Sequence, residues 1–431
     1  MNLPFLSLYF ILYTLCHLFI SYIVPRFIPY LGFFPYKELL PDYHLPPWIS
    51  AFANFDGIHY LLIVKNGYSQ YEQAFFPFYP LMVKFFSFVL GNNYLVSALF
   101  VSNVCFFFGL VMFVKYLKLI IKDKAQIFYT VLFLLVFPSS FYFGAVYTEG
   151  LFFLLLVSSL YFLEKKQYKL AGLFAALCSF TRLIGVFLII PFLIHVCSVI
   201  DSASAQPQYV LGHRVRLRPW LGPPALRHLL RLRHYNIHYI YTVLSPLLGL
   251  LVYSIYLWIT TGDPLFFLTS QPVFGANRSS SIILLPQVIV RYIKIFITAA
   301  HDFRYYVAVS EFIVFSGVFL VLFYDLISIL KPINPAKRGL GFTSRASRLG
   351  LNLFSFANLI LPTLTGTFSS IPRYVLFSLS FFIVLASIKS KFIKIGVGIF
   401  FLFFANTHVG IIHTRILCKL KVQNLKFKVS V

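Results

Sequence analysis

The chain has 431 residues, of which 59% are hydrophobic and only 11% charged. A soluble domain carries roughly 25% charged residues, so this composition excludes a globular surface facing water on all sides. The formal net charge of +24 comes from bases in short loops between apolar runs. That pattern points to membrane topology rather than nucleic acid, since no soluble segment interleaves aromatic and basic residues.

Taken in chain order, the first apolar run, 3–24, has no basic residue before it and no small-residue cleavage site. It reads as a retained helix rather than a signal peptide. Further apolar runs cover 94–114, 125–147, 149–163, 168–182, 184–200, 237–260, 308–330, 349–368, 374–388 and 395–412. Runs of about 18 apolar residues can cross a bilayer core of about 30 Å, and a segment in lipid must satisfy its own backbone, which predicts helices. The stretch 74–91 is also apolar, but Pro77, Pro80 and Lys84 interrupt it, so it reads as an interfacial helix. The expectation is an all-α polytopic membrane protein of about eleven spans. A single domain covers 1–412, with a first outer loop at 25–93, a basic cytoplasmic loop at 201–236 and a basic tail at 413–431.

The charges set the orientation. With the N-terminus inside and 74–91 left out, 21 of the 36 Lys and Arg fall in inner loops and ten in outer segments; the other five lie in the tail, the one violation. Counting 74–91 as a span would invert everything after it and expose the basic loops, against the positive-inside rule. Eight of the twelve acids fall outside. Acids contribute little to insertion, so their asymmetry places polar chemistry on the outer face. The five cysteines form no CxxC pair and four lie within apolar runs; neither a disulfide framework nor a metal site follows.

The densest polar cluster near the membrane is Asn54-Phe55-Asp56-Gly57-Ile58-His59-Tyr60 in the first outer loop. Asp56 and His59 are three apart and share a face on a short helix. A partly desolvated Asp there can act as a general base, although a solvated loop with belt aromatics would look the same. Glu149 stands in Tyr147-Thr148-Glu149-Gly150 at an outer turn. Arg182 interrupts a continuous apolar stretch, and a charge at such depth is a functional candidate by default. Asp263, in Gly262-Asp263-Pro264, fits a sugar-binding acid or a plain turn. Arg373 ends a hydroxyl-rich outer turn and fits either a phosphate ligand or a snorkelling arginine. GxGxxG, Walker, HExxH and GxSxG patterns are absent, so nothing points to a soluble nucleotide.

Phe55-Asp56-Gly57-Ile58-His59-Tyr60, Lys65-Asn66-Gly67-Tyr68 and Ala74-Phe75-Phe76-Pro77-Phe78-Tyr79-Pro80 together resemble the first-loop pattern of the PIG-V-type mannosyltransferases. Tyr147-Thr148-Glu149, Thr181-Arg182-Leu183-Ile184-Gly185, Gly262-Asp263-Pro264-Leu265 and the run from Leu364 to Tyr374 continue it in order. The resemblance extends from about residue 50 to 390; the segment 201–236 and the tail depart from it. It implies a GT-C helical bundle with an extracytoplasmic site, an inverting transfer, and a polyprenyl- or dolichyl-phosphate mannose donor as co-substrate with no other cofactor. It makes Asp56 the catalytic acid residue of the family pattern. Arg182, Arg373 and His59 become candidates for the donor phosphate, and Phe76, Tyr79, Glu149 and Asp263 for the acceptor and sugar. The expected partners are membrane lipids, the lipid-linked donor, a glycan or glycolipid acceptor and a small membrane subunit. The modest length favours a prokaryotic plasma membrane over endoplasmic reticulum. The rival expectation is a transporter or scramblase, or a lipid-binding subunit without chemistry; no inverted repeat supports the former.

Overall fold

The computed structural model describes residues 3–27, 39–204, 237–271, 279, 281–301, 303–331 and 345–414. The basic segment 205–236, the tail 415–431 and the asparagine of the Asn277-Arg278-Ser279 sequon lie outside them. The described residues hold helices and no strand. Those of eight residues or more are α1 (Leu3–Phe27), α2 (Asp56–Asn66), α3 (Phe78–Ser87), α4 (Tyr94–Ile120), α5 (Lys124–Val136), α6 (Glu149–Glu164) and α7 (Tyr168–Thr181). They continue with α8 (Ile189–Ser204), α9 (Ile237–Thr261), α10 (Leu285–Thr298), α11 (Phe303–Leu330), α12 (Arg345–Ile360), α13 (Leu379–Ala386) and α14 (Lys391–Thr414).

Among the described residues, five segments are long and apolar enough to cross a membrane: Leu3–Val24, Tyr94–Ile120, Leu183–Ile200, Tyr239–Thr261 and Tyr305–Leu330. The protein is therefore an integral membrane protein, but the eleven-span count is not reproduced by helix length. The run 125–147 is not one helix: α5 stops at Val136 ahead of Pro138, and a tight turn at Ser140–Phe143 follows. The run 349–368 breaks after Ile360, where Pro362 lies in a 3-10 turn. The run 374–388 holds only the eight-residue α13 and the end of a short helix, Ile371–Val375. Hydropathy counts apolar residues along a run and does not register where a proline ends the helix inside it. The ten residues of α3 reach about 15 Å, half the bilayer core, so this element is too short to span. It buries Tyr79 and Val83 and exposes Leu81 and Phe85.

The centre is built from close helix pairs. α4 packs along α6, α6 along α7, α7 along α9 and α8 along α12, while α5 meets α13 and α1 meets α14. The crossing of α7 and α9 depends on Gly249, where a Cβ would overlap the carbonyl oxygen of Ala176. Small residues allow such backbone approach between membrane helices. Gly249→Leu should therefore lower the thermal transition of the purified protein in detergent, by an overpacking cost of about 1–3 kcal/mol or more. An unchanged transition would show that the two helices separate without penalty.

α6 and α7 run antiparallel through the turn at Lys165–Gln167, so Glu149 and Arg182 share one end of the pair and Lys165 and Lys166 the other. α12 packs on α8 and leads toward Arg373, which leaves its own start at the far end. There Asp325 of α11 is fully buried and accepts hydrogen bonds from Arg348 Nε (2.9 Å), Asn352 Nδ2 (2.8 Å) and Ser380 Oγ (2.8 Å). Three helices, α11, α12 and α13, are thereby tied by one carboxylate. Removing Arg348 would strand that charge at a cost of roughly 3–5 kcal/mol. Arg348→Ala is expected to lower yield and melting temperature sharply, and a normally stable variant would show the pair to be dispensable.

Candidate functional site

Asp56 opens α2, and the backbone just before it is strained. Phe55 sits at φ 61°, ψ −120°, where a bulky side chain costs about 1–3 kcal/mol. The neighbouring chain holds it there: Tyr147 Oη donates to the Asn54 carbonyl at 2.7 Å and the Val146 N–H to the Phe52 carbonyl at 3.1 Å. Thus the segment before α6 fixes the start of α2.

Glu149 is the first residue of α6. Gly150 behind it allows this turn to press on α4, because a Cβ there would overlap the Ser102 carbonyl and lie 2.6 Å from the Phe143 carbonyl. Arg182 follows α7 in an extended conformation, at φ −154° and ψ 144°, which turns the chain into the tight Leu183–Leu188 helix. Arg373 comes from the short helix Ile371–Val375. Ser139 Oγ donates to the Pro372 carbonyl at 2.5 Å, and Asn358 Nδ2 to the Tyr374 carbonyl at 2.6 Å, so both neighbours of Arg373 are held.

These four side chains, spread over more than 300 positions of sequence, meet. Arg373 Nη1 donates to Asp56 Oδ2 at 2.6 Å and its Nε to Glu149 Oε1 at 2.6 Å. Arg182 Nη1 donates to the same Glu149 oxygen and, at 2.9 Å, to Thr148 Oγ1. Both guanidiniums also lie over aromatic rings, Arg373 at 4.7 Å from Tyr147 and 5.0 Å from Tyr142, Arg182 at 5.4 Å from Tyr374 and Phe377. Stacked cations of this kind are held in place as well as attracted. Burial opposes the charge on Arg373, but Glu149 and Asp56 outweigh it and hold the guanidinium protonated well above its ordinary range.

The cluster balances two acids against two bases, and its members differ in access. The Glu149 side chain is fully buried and those of Arg182 and Arg373 nearly so, whereas that of Asp56 is 37% exposed. Asp56 is thus the open member, backed by two fixed guanidiniums. The arrangement can accept a proton at the exposed carboxylate and hold an anion at the arginines, whose bidentate geometry suits phosphate.

The other sequence candidates are not gathered here. His59 Nδ1 lies 3.3 Å from Glu72 Oε1, with its ring stacked on Phe75. Phe76 is buried against Tyr253 and Phe267. Tyr79 is completely buried, with its hydroxyl 2.9 Å from Ser102 Oγ, so it packs the loop onto α4 instead of presenting a face to an acceptor. Asp263 Oδ1 accepts the Leu265 N–H at 2.8 Å and caps its own turn. Tyr142, Tyr147 and Thr148 also belong to the site; Tyr147 and Thr148 stood beside Glu149 in the motif that carries the resemblance, whereas Tyr142 was not singled out.

Residues 42–203 match the family model described as Mannosyltransferase (PIG-V). The match covers Asp56, Glu149 and Arg182, and Arg373 lies beyond it. It supports the PIG-V-type family expected from the sequence, and with it a glycosyltransferase that moves mannose. No curated protein matches the chain.

Proposed function

We propose, from the match to the PIG-V-type mannosyltransferases and the cluster around Glu149, that the protein transfers mannose from a polyprenyl-phosphate donor to a glycan or glycolipid hydroxyl on the extracytoplasmic face, with inversion. The observation that carries this is the pairing of a half-open carboxylate, Asp56, with two arginines fixed by one buried glutamate. The acceptor hydroxyl gives its proton to Asp56 as its oxygen attacks the anomeric carbon. The bond from that carbon to the phosphate oxygen breaks, and the electron pair leaves with the polyprenyl phosphate. A phosphate leaves as an anion, so it calls for cations rather than an acid. Arg373 and Arg182 supply them in a site shielded from water, where fixed charges act most strongly.

The outward face rests on the charge count of the loops. Glu149 serves as the anchor that aims both arginines, and acceptor contacts fall to the exposed side of Asp56. The test is the purified protein with radiolabelled polyprenyl-phosphate mannose and a panel of glycolipid acceptors. Transfer of label to an acceptor, or its hydrolytic release from the lipid, is expected. Lipid recovered intact under every condition would leave the transporter and subunit readings instead.

A further inference from the structure

The turn that delivers Arg373, residues 366–370, contains two left-handed positions, Gly366 at φ 87° and Ser370 at φ 69°. A non-glycine residue is held in that region only when its surroundings determine it. Here the surroundings are two helices outside the acid–arginine cluster. From α10, Tyr292 Oη accepts the Phe368 N–H at 2.9 Å, and Arg291 Nη1 donates to the Gly366 carbonyl at 2.9 Å. From α11, Glu311 Oε1 accepts the Ser370 N–H at 3.1 Å. The Ser370 carbonyl in turn accepts the Arg373 N–H at 3.0 Å. Two hydrogen bonds therefore separate Glu311 from the backbone of Arg373. Tyr292 is buried with its ring edge-on to Phe368, centroids 4.6 Å apart.

We infer that Glu311 and Tyr292 are positioning residues for Arg373, holding its turn by the two backbone N–H groups; this rests on Arg373 being a ligand of the donor phosphate. A carboxylate makes the stronger, charge-assisted kind of hydrogen bond to a backbone N–H. Its use at the strained residue Ser370 fixes the one point from which the Arg373 helix starts. A displacement of about 1 Å in a positioned group can cost about 10²-fold in rate, so a weakened pin is felt at the phosphate without any loss of fold.

The test uses the full chain in detergent, with farnesyl phosphate as a binding probe and amide hydrogen exchange as a second readout. Glu311→Ala should weaken probe binding about tenfold and Tyr292→Phe less, in keeping with small shifts of a positioned group. Glu311→Gln keeps an acceptor oxygen and should restore binding to within about twofold, since only the charge assistance is lost. In an Arg373→Gln background, Glu311→Ala should add less than about twofold, the non-additivity expected of residues acting through one another. Exchange at Phe368 and Ser370 should speed up in the Ala variant and not in the Gln variant. Additive losses, a Gln variant that behaves like Ala, or faster exchange with undiminished binding would each overturn the inference. Undiminished binding by Arg373→Gln alone would instead remove the phosphate role of Arg373, a separate failure with its own signature.

Discussion

Replacing Asp56 with Asn should leave the protein folded and cut sugar transfer by about 10²-fold or more, the usual worth of a positioned general base. The substitution is nearly isosteric, and the amide oxygen can still accept from Arg373 Nη1. The side chain is more than a third exposed, so loss of its charge strands little. Transfer and thermal unfolding measured on the same preparation separate the two effects, and an Asn variant as active as the parent would take Asp56 out of the chemistry. The geometry also predicts an order of binding. Asp56 Oδ2 is engaged by Arg373, and that oxygen must be released before it can take a proton. A donor phosphate competes for the same guanidinium and frees it. Initial-rate kinetics should then show the donor adding first, with acceptor KM falling as the donor saturates; random addition would argue that Asp56 and Arg373 are not coupled in this way.

The outline of this site could be read from the sequence because membrane composition makes charge rare. Arg182 in an apolar stretch and Glu149 at a turn between two runs stood out against their surroundings, and the resemblance marked Asp56 and Arg373. Their mutual contacts could not be read, since no local spacing links position 56 to position 373. Asp263 was open to two readings, a sugar-binding acid or a plain turn, since Gly-Asp-Pro is turn chemistry in any setting; in the structure its Oδ1 accepts the Leu265 N–H of its own turn. Tyr79 and Phe76 stood in a distinctive motif, yet aromatic residues beside a membrane serve packing as readily as binding, and both are buried. Tyr292 left no signal, and Glu311, a charge within the run 308–330, was not singled out, because no sequence pattern shows that both hydrogen-bond to the backbone of the turn before Arg373. The helical class and the shortness of α3 followed from composition and from the prolines. The span count did not, since apolar runs such as 125–147 and 349–368 continue past the ends of their helices.

The largest loss of stability should come from Glu149. Its carboxylate is fully buried and accepts from both arginines through one oxygen, so it neutralises two cations that are themselves almost out of solvent. Glu149→Gln puts amide hydrogens or a neutral oxygen where that charge was and leaves Arg182 with no acid partner in the cluster. Breaking a buried pair from one side costs roughly 3–5 kcal/mol, a large part of the 5–15 kcal/mol or so that keeps a typical domain folded. The variant should therefore accumulate poorly or melt well below the parent in detergent. A second change separates charge from shape. Arg182→Met in the Gln background removes the stranded cation and leaves an apolar chain among Phe152, Tyr374 and Phe377, the rings that Arg182 now covers. The double variant should regain much of the lost stability, because an apolar replacement for a buried ion pair is often neutral or better. It should not regain transfer, because one of the two phosphate cations is gone and the other, Arg373, has lost its bond to Glu149. If the double variant were no more stable than Glu149→Gln alone, the loss would lie in packing around Glu149 and not in the uncompensated arginine.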